Sequence, residues 1–333
     1  MTPLNRRHSL LAIAAVAATI WLPRAQAQTP APTIKELNFG IISTESSGNL
    51  KTAWQPFLED MEKAVGFKIN AFFAPDYAGV VEGMRFNKVQ VAWMGNKSAM
   101  EAVDRSNAEI FAKVTQADGE QGYYSLMIVH KDSPLKTLGD VLQQRANLVL
   151  GFGDPNSTSG MLIPGYYAFA QNKVDPVKDF KRTLRANHET NILSVANKQV
   201  DVATVASDGV DRMKTKMPEK AADLRVVWRS PLIPSDPVVW RKDLDPNAQA
   251  RLKAFFLSYG QNPREKEIMR VLTWSGFVAS NNTQLLPIRE IELVRDRTKI
   301  ENDANLAADD KAKKLQEIDT RLAELGKQIA SAK

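Results

Sequence analysis

Three consecutive hydroxyl side chains stand out as candidates for binding an anion in this chain of 333 residues. Ser157, Thr158 and Ser159 lie in the turn at residues 154–160, between an apolar run at 148–152 that predicts a buried strand and a helical pattern at 161–170. The first N–H groups of a helix lack intrahelical partners, and the helix dipole favours negative charge there. The turn therefore predicts an anion-binding site without a lysine, with an ordinary helix N-cap as the alternative.

A histidine and two aspartates are further candidate site residues. His188 precedes a helical segment, where its ring could donate to an anion; the alternative is a capping or core histidine. Asp208 and Asp236 each follow or adjoin a predicted strand in the second half of the chain. Two carboxylates facing one cleft could bind a cation or an ammonium group, or act as general acid and base. Each aspartate alone is also compatible with a helix cap or a turn.

A hydrolase is the enzymatic alternative, because Ser157 or Ser159 could form a Ser-His-Asp arrangement with His188 and Asp208. The serines lack the G-x-S-x-G elbow of such nucleophiles, so we expect no catalytic residues and no enzymatic activity. The chain has no cysteine, and no histidine or carboxylate cluster has metal-ligand spacing. We therefore expect neither a metal site nor a cofactor.

The order of the predicted elements favours a mostly parallel α/β sheet, because strands and helices alternate along the chain. Ligands of such sheets bind at the carboxyl ends of the strands. Tyr77 and Tyr123 lie at or near strand ends and are candidate contacts, as are Asp76 and Asn96. A break near residue 131 and a later return predict two lobes with two crossovers. One lobe comprises residues 28–130 plus 242–333, and the other comprises residues 131–241.

The N-terminus has the pattern of a cleavable export signal over residues 1–27. Arg6 and Arg7 precede an apolar stretch that is short for a membrane-spanning helix, and Ala25-Gln26-Ala27 matches a small-x-small cleavage site. Cleavage after Ala27 leaves an unanchored chain without a cysteine for lipid attachment, which predicts the periplasm. An uncleaved anchor is the alternative, and the adjacent arginines leave Sec and twin-arginine export open.

The charge distribution argues against a nucleic-acid partner. The formal net charge is +6, and three of the arginines that contribute to it lie in the signal segment. The other basic residues are interleaved with acidic ones, so no basic stripe or patch is present in the sequence.

The C-terminal segment predicts an amphipathic helix with a two-heptad apolar seam. Its apolar residues are spaced by three and four positions: Leu315, Ile318, Leu322, Leu325 and Ile329. A seam of this kind either forms a homodimer contact or packs the helix on its own domain.

Six segments, in this order along the chain, resemble the periplasmic phosphonate-binding proteins of phosphonate ABC importers. They are residues 37–45 (LNFGIISTE), 72–79 (FFAPDYAG), 153–160 (GDPNSTSG), 188–191 (HETN), 200–204 (VDVAT) and 231–234 (PLIP). The resemblance covers nearly the whole chain after residue 27. It implies a type II periplasmic binding protein fold, with two α/β lobes, a two-crossover hinge, ligand in the cleft and a C-terminal helical extension.

The resemblance also implies roles for the candidate residues, carried over position by position. The contacts to the phosphonate group would be Ser157, Thr158, Ser159, His188 and Tyr123. The contacts at the cleft and amine end would be Tyr77, Asp208 and Asp236, with the two aspartates holding the ammonium of 2-aminoethylphosphonate. The implied partners are a small-molecule phosphonate and the membrane permease and ATPase of the importer.

Two positions depart from the family pattern. Asp208 is preceded by Val-Ala-Ser, whereas better-known members of the family have a glutamate at this position in an Asn-Asn-Thr-Glu sequence. Met94 stands where a tyrosine is common in the family. Because the aspartate side chain is one methylene shorter than that of glutamate, its carboxylate would lie farther from the ligand amine. Phosphite, phosphate and other small phosphorylated compounds are therefore alternative ligands.

Overall fold

The computed structural model describes residues 34–331, so the predicted signal segment and its cleavage site lie outside the described residues. The strands are β1 Glu36–Ile41, β2 Lys68–Phe73, β3 Val91–Trp93, β4 Ala108–Gln116, β5 Gly122–Tyr123, β6 Ser125–His130, β7 Val149–Phe152, β8 Arg182–Arg185, β9 Val202–Ala206, β10 Leu224–Arg229, β11 Ile233–Pro234, β12 Pro237–Arg241 and β13 Trp274–Ala279. The helices are α1 Ser47–Val65, α2 Tyr77–Arg85, α3 Asn96–Arg105, α4 Leu138–Gln144, α5 His188–Ala196, α6 Ser207–Lys216, α7 Pro218–Ala222, α8 Pro246–Ser258, α9 Pro263–Val271, α10 Leu286–Glu301 and α11 Ala308–Ser331.

The first lobe is built on a six-stranded sheet with the order β13-β4-β12-β3-β1-β2. Strand β1 pairs in parallel with both β2 and β3, whereas β12 pairs antiparallel with β3 and β4. Helix α1 begins at the Ser46 cap and ends at Gly66, which has the left-handed conformation that glycine adopts at low cost. Its buried residues recur at helical spacing, so one face of α1 packs on the sheet.

An aromatic cluster joins the early and late parts of the chain within the first lobe. The ring of Trp54 on α1 lies 5.4 Å from Trp93 on β3 and 5.5 Å from Trp274 on β13. The Phe57 ring lies 5.6 Å from Phe256 on α8. Large buried rings contribute strongly to core stability, so the early and late segments of the chain stabilise this lobe together.

The second lobe is built on a five-stranded sheet with the order β10-β6-β9-β7-β8. Strand β7 pairs in parallel with β8 and β9, and β6 pairs antiparallel with β9 and β10. The α/β class and the two-lobe architecture predicted from the alternating elements are thus confirmed.

The crossovers occur earlier than the predicted boundaries at residues 131 and 241. Strand β6 belongs to the five-stranded sheet and β12 to the six-stranded sheet, so the chain changes sheets near residues 122–125 and 233–237. The crossover strands β5 and β11 pair with each other. A Cβ at Gly122 would lie 1.9 Å from the Ile233 carbonyl oxygen, so this pairing requires glycine. The sequence shows apolar runs at β6 and β12 but not the sheet that each run joins.

The C-terminal helices α10 and α11 form a pair whose apolar seam lies within the chain. Ile318 and Leu325 of α11 are buried together with Leu293 of α10, and Leu322 and Ile329 pack against this cluster. Helix α10 therefore covers the side of the seam that holds Ile318 and Leu325, as the alternative interpretation of the heptads expects. Within residues 34–331, no helix is both long and apolar enough to cross a membrane.

Candidate ligand-binding site

A pocket between the two lobes brings together eight of the ten candidate residues that the sequence singled out. It holds about 270 Å³ of space free of protein atoms, part of which is open to solvent. Its lining includes Tyr77, Tyr123, Ser157, Thr158, Ser159, His188, Asp208 and Asp236. Of the other two strand-end candidates, Asp76 caps α2 by accepting from the Gly79 N–H, and the Asn96 amide donates to the Pro234 carbonyl; neither lines the pocket.

The hydroxyl turn forms the start of a wide helical segment. The Ser157 Oγ accepts a hydrogen bond from the Gly160 N–H at 3.0 Å and so acts as the N-cap. Thr158–Leu162 then forms a π-helical turn, a geometry that is frequent at functional sites. The N–H groups of Thr158 and Ser159 come first in this helix and have no carbonyl one turn earlier to bond. Both the capping and the anion-binding interpretations therefore fit the same turn.

Contacts from several directions hold this helix start in place. The backbone N–H of Lys97, in the first lobe, donates to Thr158 Oγ1 at 2.9 Å. The Ser125 hydroxyl donates to the Ser159 carbonyl oxygen at 2.6 Å. In the bond from Lys97 the Thr158 hydroxyl oxygen is the acceptor, so the hydrogen of this hydroxyl remains available to donate into the pocket.

A close backbone contact sets the direction of the turn. The Gly153 N–H donates to the Gly160 carbonyl at 2.9 Å, and a Cβ at Gly153 would lie 2.5 Å from the Gly160 Cα. No side chain fits between these two residues, so both glycines are needed to bring the end of β7 against the helix start.

We expect Gly153→Ala to weaken ligand binding by displacing the helix start and to lower the free energy of unfolding by about 1–3 kcal/mol. Calorimetry with an anionic ligand and thermal unfolding would measure both effects. Gly326→Ala is the matched control, because a Cβ there meets nothing within 4 Å and should leave binding unchanged. Unchanged binding by Gly153→Ala would contradict this account of the turn.

His188 is a neutral hydrogen-bond donor in this site. Its Nδ1 accepts a hydrogen bond from the Ala206 N–H at 3.2 Å, so the proton of the neutral ring is on Nε2. Nε2 lies 3.4 Å from Ser157 Oγ. Burial lowers the pKa of His188 to about 4, and the nearby Asp208 carboxylate offsets only part of this effect. At neutral pH the ring can therefore donate to an anion without carrying a charge.

This geometry excludes the Ser-His-Asp interpretation. A general base needs a free Nε2 lone pair beside the serine, but Nε2 carries the proton here. Asp208 contacts Arg212, and the hydrogen-bond partner of Nδ1 is a backbone N–H and not a carboxylate. The hydrolase alternative is therefore wrong for physical reasons at the site itself.

The lowered pKa of His188 predicts a pH dependence of stability. Between pH 6.5 and about 4 the unfolded chain protonates this histidine while the folded chain leaves it neutral. The free energy of unfolding should fall as the pH falls through this window, by up to about 1.4 kcal/mol per pH unit. Denaturant titrations at several pH values should show a shallower dependence in His188→Asn than in the unmodified chain. His130→Asn is the control, and equal slopes in His188→Asn and the unmodified chain would contradict the buried neutral ring.

Asp236 contributes a buried carboxylate to the lining of the same pocket. Burial raises its pKa well above the ordinary range, and the negative charge of Asp208 raises it further. The Tyr123 hydroxyl donates a hydrogen bond to this carboxylate and acts in the opposite direction. Its Oδ1 has no hydrogen-bond partner among the described residues, and neither has the Nε1 of Trp93 in the same lining. A ligand with a donor group would satisfy Oδ1.

The two tyrosines in the lining are neutral hydroxyl groups. Burial raises the pKa of Tyr77 well above its ordinary value, and the charge of Asp154 raises it further. Burial likewise raises the pKa of Tyr123, with Asp236 as the next contributor. Both hydroxyls therefore keep their protons and can donate hydrogen bonds at any physiological pH.

Asp208 is already engaged by a residue that the sequence analysis did not identify. The Arg212 Nη1 lies 3.0 Å from Asp208 Oδ2, and its Nε lies 2.6 Å from Glu45 Oε1 in the first lobe. Thr44, next to Glu45, also lines the pocket. The four-residue spacing of Asp208 and Arg212 on a helix was a signal for this pair. The contact of Glu45 with Arg212 could not be predicted from local sequence, because it spans the cleft.

Contacts between the lobes lie next to residues that line the pocket. Glu189, next to His188, accepts from the Ser46 N–H at 2.8 Å and from the Asn49 amide at the start of α1. Its own N–H donates to the Thr44 carbonyl at 3.2 Å. Among residues 34–331, no group of three or more histidine and carboxylate side chains is arranged to hold a metal ion.

Comparison with known proteins gives the same assignment over most of the chain. The model of the family "ABC transporter, phosphonate, periplasmic substrate-binding protein" matches residues 39–285. The phosphonates-binding periplasmic protein of Escherichia coli (strain K12) is 54% identical over 291 residues, which cover 87% of this chain and 86% of that protein.

Two solved structures share the fold. A binding protein component of an ABC phosphonate transporter from Pseudomonas aeruginosa has a TM-score of 0.88 at 55% identity, covering 89% of this chain and 98% of that chain. PhnD1 from Prochlorococcus marinus (MIT 9301), in complex with methylphosphonate, has a TM-score of 0.71 at 22% identity, covering 79% and 98%. The latter supports the fold alone.

The fold and the enclosed site define a type II periplasmic solute-binding protein, as the sequence resemblance implied. The chain belongs to the family of periplasmic substrate-binding proteins of phosphonate ABC transporters. Proteins of this family bind and deliver a solute and are not enzymes, which agrees with the protonated Nε2 of His188.

Proposed function

We propose that this chain captures phosphonates, including 2-aminoethylphosphonate, in the pocket between its lobes. The observation that carries the proposal is that one pocket holds two kinds of group. It is lined by neutral hydrogen-bond donors at a helix start and by a buried carboxylate that has an oxygen without a partner among the described residues. This arrangement suits a small molecule that is anionic at one end and cationic at the other.

At the anionic end, the ligand would replace the missing partners of the helix start. The N–H groups of Thr158 and Ser159, the surrounding hydroxyls and the Nε2 of His188 would donate to the phosphonate oxygens. Tyr77 and Tyr123 would close the pocket from the first lobe and the crossover. Because none of these donors is charged, they stabilise a compact tetrahedral anion without attracting every anion from a distance.

At the cationic end, Asp236 would hold the ammonium group of 2-aminoethylphosphonate. A charged donor lowers the pKa of a buried carboxylate and satisfies its free oxygen. A ligand without an amine would leave Asp236 protonated or unpaired, at a cost in affinity. Phosphite and phosphate have no amine, and they and other small phosphorylated compounds are the alternative ligands.

Delivery to a membrane permease and its ATPase would depend on the closed arrangement of the lobes. The contacts of Lys97 with Thr158, of Glu45 with Arg212 and of Glu189 with the start of α1 all cross the cleft. A ligand that bridges the lobes would favour this arrangement over an open one. The segment that ends at Ala27 would direct export to the periplasm and would be removed by cleavage.

The proposal is tested by titrating the chain, followed by tryptophan fluorescence and calorimetry, with 2-aminoethylphosphonate, methylphosphonate, phosphite and phosphate. Phosphonates should bind more tightly than phosphite and phosphate. Ser157→Ala should weaken phosphonate binding about tenfold or more, because a donor to the anion is lost. Thr137→Ala is the control, since it removes the N-cap of α4 outside the pocket.

If phosphite or phosphate binds more tightly than any phosphonate, the proposal that phosphonates are the ligands is wrong. Equal phosphonate affinity in Ser157→Ala and Thr137→Ala would show that the serine is only a helix cap.

The homodimer expected from the C-terminal heptads stays a prediction. Helix α10 covers one side of the seam, and Leu315, Leu322 and Ile329 remain half-buried. A second copy would have to use these residues. Light scattering of the full chain and of a chain ending at Ala312 tests this contact: a dimer that becomes a monomer supports it, and a monomer in both contradicts it.

A further inference from the structure

The two carboxylates of the pocket have different surroundings. Asp236 has one oxygen without a partner among the described residues. In Asp208, by contrast, Oδ1 accepts from the Gly209 N–H at 3.0 Å and Oδ2 accepts from the Arg212 Nη1 at 3.0 Å. Each oxygen of Asp208 therefore already accepts one hydrogen bond, and one of the two comes from a cation, before any ligand arrives.

Arg212 is a buried cation with fixed partners. Its guanidinium also donates from Nε to Glu45 at 2.6 Å, and Glu45 in turn accepts from the Lys216 Nζ at 2.6 Å. Burial lowers the pKa of Arg212, but the charges of Asp208 and Glu45 outweigh it and raise the pKa above its ordinary value. The four groups alternate in sign and compensate one another.

A carboxylate attracts a ligand ammonium group strongly only if no other cation already compensates its charge. A ligand amine near Asp208 would meet Arg212, a cation of the same sign, on the same oxygen atoms. Near Asp236 it would meet a free oxygen and the hydroxyl of Tyr123. The geometry therefore separates the roles of two aspartates that the sequence treats as a pair.

We propose that Arg212 is a specificity-determining residue that removes Asp208 from amine recognition and leaves Asp236 as the carboxylate that distinguishes aminophosphonates from simple phosphonates. Glu45, across the cleft, positions Arg212 in the closed arrangement. The consequence is a site that accepts phosphonates with and without an amine. This inference rests on the proposed function.

The test is the ratio of the affinities for 2-aminoethylphosphonate and methylphosphonate, because a general loss of binding cancels in this ratio. Asp236→Asn should lower the ratio about tenfold, since a charged hydrogen bond is lost with one ligand only. Asp208→Asn should weaken both ligands by similar factors and leave the ratio within about threefold of its original value.

Substitution of Arg212 should change the affinity ratio in the direction opposite to that expected for Asp236→Asn. Arg212→Met frees the Asp208 carboxylate and should raise the ratio at least about threefold. Lys216→Met is the matched control: it also removes a cation from Glu45 but makes no contact with Asp208, so the ratio should not change. In the double variant Asp208→Asn with Arg212→Met the ratio should return to its original value.

A fall in the ratio for Asp208→Asn as large as that for Asp236→Asn would overturn the inference. An unchanged ratio in a folded Arg212→Met variant would overturn it as well. If Arg212→Met does not fold, the comparison of the two aspartate variants decides. A chain that binds both phosphonates but fails these comparisons contradicts this inference alone, whereas a chain that binds neither contradicts the proposed function and the inference with it.

Discussion

The backbone contact between Gly153 and Gly160 is the constraint on which the site depends. It brings the end of β7 against the first turn of the following helix, where Thr158 and Ser159 line the pocket. Buried N–H groups without partners are costly, and most proteins cover them with side chains. Here the cap at Ser157 satisfies the Gly160 N–H. The remaining donors at the helix start suit an anionic ligand.

The pocket separates neutral donors from compensated charges. The donors at the anion end are hydroxyls, N–H groups and the imidazole of His188, which burial keeps neutral. Glu45, Arg212, Asp208 and Lys216 are charged but paired with one another. Among the described residues that line the pocket, Asp236 combines burial with an oxygen that has no partner. With the proposed ligand, such a distribution would select the anionic group by shape and hydrogen bonding and the cationic group by charge.

The same residues that line the pocket are linked to contacts between the lobes. Thr158 accepts from the N–H of Lys97, and Asp208 is connected through Arg212 to Glu45. His188 is followed by Glu189, which caps the start of α1 from the other lobe. Ligand contacts and lobe contacts therefore share side chains and neighbouring backbone. With the proposed ligand bound, this proximity would be a physical route by which occupancy of the pocket favours the closed arrangement.

Much of this site could be predicted from local pattern. The hydroxyl run between a strand and a helix, the scarce histidine and the strand-end tyrosines and aspartates depend on nearby sequence, and the α/β class follows from element order. Two things could not be predicted in this way. Strands β6 and β12 are apolar runs whose sheet is set by distant pairing partners. The state of Asp208 depends on Arg212 and Glu45, and Glu45 lies 167 residues away from Arg212 along the chain.

The sequence by itself thus determined which groups are available, because residue types and short-range spacing decide caps, strands and helix faces. Only the tertiary structure decided which carboxylate is free, which nitrogen of His188 carries the proton and where the crossovers lie. Each of these depends on a contact between segments far apart in the chain. Electrostatic neutralisation and hydrogen-bond satisfaction depend on distances of a few ångströms that no local pattern encodes.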